Sequence, residues 1–204
     1  TKGDLSYNYA FDTEVFKKVA LDMAVEAGCE ILFHTYFSDV IMEGNRVTGI
    51  IVENKSGRQF YPAGMVVDCT GDADILFRAG VPTVQGHNYF TYSAYGIDLA
   101  HCKEAAESGR IERAIFDMPG GTANLFGKNQ PEGKPLYTGT SGEDVNQYLF
   151  DNQLTLLNRL KKDDRRTRQV ISLPGMCQYR TTRRIDGDYT LKVSDVYRHF
   201  ADSI

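Results

Sequence analysis

Apolar residues recur at helical spacing along Val15, Phe16, Val19, Ala20, Met23, Ala24 and Ala27, which draws one stripe down a helix. Asp12 stands ahead of it as an N-cap, Glu14 falls in the first turn, and Gly28 sits where a helix end takes a left-handed residue. The spacing predicts a helix of about four turns. Cys29 to Phe37 then reads as a strand through Ile31, Leu32, Phe33, Thr35, Tyr36 and Phe37. Val40 to Glu43 and Arg46 to Glu53 flank a Gly44-Asn45 hairpin turn, and Asn54-Lys55-Ser56-Gly57 turns the chain again into a strand at Arg58 to Tyr61. A small antiparallel meander is predicted. After the Pro62/Gly64 break, Met65-Val66-Val67 is a short apolar run, predicted as a buried inner strand of a parallel sheet. Thr70-Gly71-Asp72 follows, with Asp72 as the cap of a helix that carries Ile75, Leu76 and Ala79 and ends at Gly80.

The pattern changes after Gly80. Val81 to Gly96 is rich in Tyr, Thr and Gly and alternates enough to predict strand. Asp98 to Ala114 has helical spacing with an interruption at Ser108-Gly109, and Met118 to Lys134 reads as Gly- and Pro-bearing loop, with short strands as the alternative. Ser141 caps a helix whose apolar face is Val145, Tyr148, Leu149, Leu156, Leu157 and Leu160. Met176 to Ile185 predicts a strand, Asp186-Gly187 a turn and Tyr189 to Leu191 another strand, with Ser194 capping a short helix through Val196 and Tyr197. Thr1 to Ala10 is polar and has no clear period.

Composition narrows the function classes. The chain has 204 residues, 42% of them hydrophobic, and a formal charge of -4, which suits one sizeable core and argues against nucleic acid or an anionic membrane as partner. The clusters Lys161-Lys162 and Arg165-Arg166-Thr167-Arg168 are interrupted by Asp163 and Asp164 and read as a solvated helix end. Cys29, Cys69, Cys102 and Cys177 form no Cys-x-x-Cys, and His87, His101 and His199 have no ligand spacing, so neither a disulfide scaffold nor a metal site is expected. No apolar run reaches transmembrane length and no signal-peptide pattern opens the chain, which favours a cytoplasmic location.

Val67-Asp68-Cys69-Thr70-Gly71-Asp72-Ala73-Asp74 resembles the "ATGD" segment of the FAD-dependent oxidoreductases of glutathione-reductase-like fold. Phe11 to Phe16, Glu26 to Leu32 and Arg180 to Tyr189 are similar to further text of that family, while the resemblance is weak from about Gln85 to Pro174. The resemblance implies FAD as cofactor and hydride exchange with a small organic substrate, anionic or neutral. It also implies an α/β fold: part of a dinucleotide-binding, Rossmann-like sheet with a three-stranded antiparallel insert, followed by a mixed α+β domain. Residues 1–84 would belong to the FAD-binding domain and 85–204 to the substrate domain. The Gly-x-Gly-x-x-Gly pyrophosphate loop of the family does not occur in these residues, and the chain opens on Thr1. Both suggest a central fragment, which would by itself neither hold FAD well nor turn over.

Site residues follow the same resemblance. Tyr36 and Phe37 fall where main-chain groups meet the adenine ring, with plain core packing as the rival role for Phe37. Thr70 and Gly71 would lie against the adenosine and pyrophosphate, where a bare backbone admits close approach. Asp72 joins them on the cofactor side, with helix capping as its rival role. Arg180 and Arg184 would act on the substrate anion or flavin: if 176–185 is extended, Arg180, Thr182 and Arg184 share a face and Arg183 points away. Their rival is a structural ion-pair strand with Asp186, Asp188 and Asp195. Two other functions stay open: an adenosyl-cofactor methyltransferase using the 68–74 turn, and a non-enzymatic module that binds a ligand through the Arg face and tyrosines. The oligomeric state is open.

Overall fold

The computed structural model describes residues 12–195. Thr1 to Ala10 and the helix expected through Val196 and Tyr197 lie outside the described residues.

Helix α1, Thr13–Glu26, starts where the capping residue dictates: the Asp12 carboxylate accepts the amides of Glu14 and Val15 at 2.9 and 3.1 Å. It ends at Ala27, with Gly28 left-handed at φ 73°. Among the described residues, none of α1 is buried.

The strand expected over 29–37 is a correction. Only its last two residues pair, as the start of β1, Tyr36–Glu43. His34 is left-handed at φ 50°, which turns the chain and keeps Ile31, Leu32 and Phe33 from running on into the strand. Strands β1, β2 (Arg46–Asn54) and β3 (Gly57–Pro62) form a three-stranded antiparallel sheet, with Glu43 opposite Arg46 across the Gly44-Asn45 turn. Val40 and Val52 are its buried side chains.

Met65 to Val67 is a second correction. It forms no strand, and Met65 and Val67 are 86% and 76% exposed. A parallel inner strand needs neighbours on its edges; every strand pairing among the described residues is antiparallel, and none involves this run. The turn beyond it leads to α2, Asp74–Arg78, which rests against β1.

The second half is built around β5, Thr91–Asp98, which pairs with β6 (Ile115–Thr122) on one side and β7 (Arg168–Ser172) on the other. Between β5 and β6 run α3, Leu99–Ser108, capped by Asp98, and a 3₁₀ turn at Ile111–Ala114. Between β6 and β7 runs α4, Gly142–Leu160, capped by Ser141. One expectation is settled here and one fails. Met118 to Thr122 is a short strand of the kind the sequence allowed, and its Gly120 and Gly121 lie flush against their neighbours. A Cβ at Gly121 would stand 2.3 Å from the Phe90 carbonyl oxygen, and one at Gly120 2.7 Å from that of Asn152. The basic run at 165–168 ends in a strand, not a helix tail, since the Asp164 carbonyl takes the amides of Thr167 and Arg168 and turns the chain.

Strand β8 keeps only Arg183–Ile185 of the strand expected over 176–185, and pairs antiparallel with β4, Thr83–Gln85. Tyr189 to Leu191 is not a strand. The core of this half joins Phe90, Tyr92, Ala94, Met118, Tyr137, Tyr148 and Leu156. Asn152 of α4, wholly buried, accepts the Gly121 amide at 2.9 Å and donates to the Tyr148 carbonyl at 2.9 Å, so it ties α4 to β6. Among the described residues, no helix is long and apolar enough to cross a membrane, and no three His, Cys, Asp or Glu converge on a metal position.

Candidate functional site

Asp68 organises the turn at 68–74. Its Oδ1 accepts the Thr70 amide at 3.0 Å and the Thr70 hydroxyl at 2.7 Å, and its Oδ2 accepts the Leu76 amide at 3.0 Å. Partial burial works against the charge, but these bonds prevail and hold the carboxyl below its ordinary range. The Thr70 hydroxyl accepts the Asp74 amide in turn, at 3.0 Å. These two side chains therefore cap α2. Asp72 does not, which corrects the capping role expected for it. The N-cap position itself is Ala73, left-handed at φ 53° with no side-chain cap bond.

Gly71 has φ 87°, and a Cβ there would meet no heavy atom within 4 Å. The amides of Gly71, Asp72 and Ala73 have no acceptor among the described residues. Three successive free donors beside a bare, open backbone form a surface that a phosphate-bearing group fits. Thr70 has both hydroxyl functions spent inside the turn, so it shapes this surface more than it reaches out from it.

The corner is held from the far end of the chain. Arg183 donates Nε to the Asp72 carbonyl at 3.2 Å and Nη2 to the Asp74 carboxylate, so it brackets the left-handed Ala73. Its guanidinium carbon lies 4.2 Å from the centre of the Phe77 ring, and its side chain is only 7% exposed. The expected arrangement, with Arg183 facing away from the chemistry, is thus corrected. Because only 183–185 is extended, Arg180, Thr182 and Arg184 share no strand face: Thr182 is buried, while Arg180 and Arg184 are exposed. Arg184 donates to the Ile185 carbonyl and the Thr190 hydroxyl. Tyr36 and Phe37 begin β1, the strand α2 rests on; Tyr36 is 74% exposed and Phe37 half-buried.

Arg180 lines a separate open cleft of about 280 Å³ with His87, Asn88, Tyr89, Asn124 and Leu125. The structure thus divides the expected site residues into two groups: Thr70, Gly71 and Asp72 at the turn, and Arg180 at the cleft.

Residues 1–92 match the FAD dependent oxidoreductase family. The matched stretch takes in α1, the three-stranded sheet and the whole 68–74 corner, and stops at the start of β5. The family is FAD dependent, so FAD is the cofactor that the match assigns, and the match gives this part of the chain an oxidoreductase character at family level. No curated protein and no solved structure matches the chain.

Three residues that matter here escape a reading of the sequence. Asp68 carries a weak signal, since Asp two residues before Thr is a common side-chain-to-backbone turn. Arg183 and Asn88 carry none, because their partners lie far off in the chain.

Proposed function

We propose that this chain is part of a flavin-dependent oxidoreductase of glutathione-reductase-like fold that exchanges a hydride with a small organic anion. The observation that carries this reading is the open Gly71 corner, with three unpaired amides, inside the stretch matched to the FAD dependent oxidoreductases. FAD, when bound, supplies the redox chemistry, and the protein supplies position and charge. Gly71, Asp72 and Ala73 would face the cofactor's phosphates with their amides, and Thr70 would keep the turn in shape. Tyr36 and Phe37 would take the adenine side. Arg180 would take the substrate anion, whereas Arg184, turned to the Ile185 carbonyl and the Thr190 hydroxyl, would stand outside that cleft. Residues 1–84 would form part of the FAD-binding domain and 85–204 the substrate-binding domain.

The Gly-x-Gly-x-x-Gly loop that supplies pyrophosphate donors in such proteins does not occur in these 204 residues. The 204-residue chain alone would therefore be colourless and inactive. The test is FAD titration of the protein at its natural length. A flavin spectrum with about one FAD per chain, weakened at least ten-fold by Gly71→Val, is the expected result. Flavin binding indifferent to Gly71→Val would remove the corner from the cofactor site, and no flavin binding at natural length would end the proposal.

A further inference from the structure

We propose that the cleft between Asn88 and Arg180 is a binding site for a small organic anion with a single carboxylate and a flat apolar body. Among the described residues, Arg180 is the cleft's one charged wall residue and no acidic side chain lines it. Arg183 and Arg168 are both committed to aspartates, whereas Arg180 makes no ion pair with any described residue. A free guanidinium presents a planar fork that matches two carboxylate oxygens.

The position of Arg180 is fixed from below. Asn88 is 3% exposed, and its Oδ1 accepts the amides of Arg180 and Thr181 at 2.6 and 2.9 Å. The Thr181 hydroxyl donates to the His87 carbonyl, so the two chain segments that carry Asn88 and Arg180 are tied to each other. Preorganisation of this kind lowers what ordering costs when a ligand binds.

The rest of the lining suits a flat, apolar body. The Tyr89 ring packs over the bare backbone of Gly127, where a Cβ would lie 2.7 Å from the ring, and meets the edge of His87 at 5.2 Å between centroids. Leu125 adds an apolar side. The volume of about 280 Å³ lies at the lower limit of small-molecule sites, roughly 300–1,000 Å³, so a metabolite fits and a dinucleotide does not. One cation without a second favours a monoanion over a phosphate dianion. Naming this anion as the substrate rests on the flavin reading; its binding does not.

The test is calorimetric titration of the cofactor-free protein at natural length, with benzoate as probe, benzamide as its neutral counterpart, and inorganic phosphate. Benzoate is expected to bind, benzamide and phosphate to bind at least ten-fold more weakly, and Arg180→Ala to weaken benzoate about 10- to 100-fold. Arg180→Lys should fall between the two. Arg180 is exposed, so these variants keep the wild-type melting temperature. Benzoate binding unchanged by Arg180→Ala, phosphate binding tighter than benzoate, or no benzoate binding at millimolar concentration would each overturn the proposal. Because the titration is free of cofactor, a failure of the flavin reading leaves its outcome standing.

Discussion

Arg183 and Asp74 are joined across 109 positions of sequence, and that contact fastens the C-terminal segment onto the glycine corner. It spans the edge of the stretch matched to FAD dependent oxidoreductases, so residues outside the match shape the candidate cofactor surface inside it. Arg183→Ala would strand Asp74, free the Asp72 carbonyl and uncover Phe77. Asp74 is 41% exposed, which lets water recover part of the loss. A destabilisation of about 1–3 kcal/mol is expected by urea denaturation, and Arg183→Lys should regain less than half of it, because an ammonium cannot serve both groups in one plane. A loss under about 0.5 kcal/mol would show the contact to be decorative.

Asn88 satisfies two amides with one oxygen and sends its Nδ2 to the carbonyls of Tyr137 and Thr181. Asn88→Leu would leave those amides without an acceptor next to the core. About 2–4 kcal/mol should be lost in chemical denaturation, and carboxylate binding at Arg180 should weaken with it. Asn88→Asp would keep the acceptor but bury a charge, so it is not a rescue.

Gly121 admits no side chain. Its added Cβ would collide with the Phe90 carbonyl and with the Asn152 amide oxygen at 2.8 Å, both held in place by pairing. Gly121→Ala is expected to cost about 1–3 kcal/mol, or more if β6 shifts. Gly133→Ala offers a control: open space surrounds it, so its cost comes from its φ of 76° alone.

Burial raises the phenols of Tyr137, Tyr148 and Tyr179 above the usual tyrosine range, with the Asp151 carboxylate adding to it at Tyr137. Their contribution is whole below the unfolded value of about 10 and is lost as pH climbs from there toward the higher folded values. Each should add a slope of about 1.4 kcal/mol per pH unit to an alkaline unfolding curve. Asp68 acts in the other direction: its folded carboxyl titrates low, so its contribution holds above about pH 4 and disappears as pH falls through the folded value. Asp68→Asn should flatten the acid limb and leave the alkaline one alone. Melting temperatures across pH would check both signs.

The Tyr179 hydroxyl is buried and makes no close hydrogen bond among the described residues; its polar contact is with Cys177, a weak partner. Tyr179→Phe is therefore expected to be neutral or to stabilise by about 1 kcal/mol, with a shallower alkaline slope. A clear destabilisation would point to an acceptor that the hydroxyl reaches in solution.

Local rules served the sequence reading well where they were sufficient in themselves. The Asp12 and Ser141 caps, the Gly28 helix end and the Gly44-Asn45 hairpin each depend on a few adjacent residues, and each stands where the pattern put it. Met65 to Val67 shows the limit: an apolar, branched run states a preference for a sheet but cannot supply the neighbour. Arg168 to Ser172 shows the reverse, a charged stretch recruited as a strand because β5 has an edge to offer. At the site, Gly71 was legible through its lack of a side chain. The partnership of Arg183 with Asp74 was not, since side-chain direction in a strand depends on where that strand starts, and only three of the ten residues expected there are extended.

Strand β5 carries a consequence for how the molecule opens. Tyr95, Gly96 and Ile97 have a neighbouring strand on both sides, whereas the outer edges of β6 and β7 face no further strand of that sheet among the described residues. Whichever side its N–H faces, each of these inner residues donates into a paired ladder, so these amides should be among the last to trade their hydrogens for deuterium. The unburied α1 should trade its own within the earliest minutes, long before the centre of the protein registers the solvent.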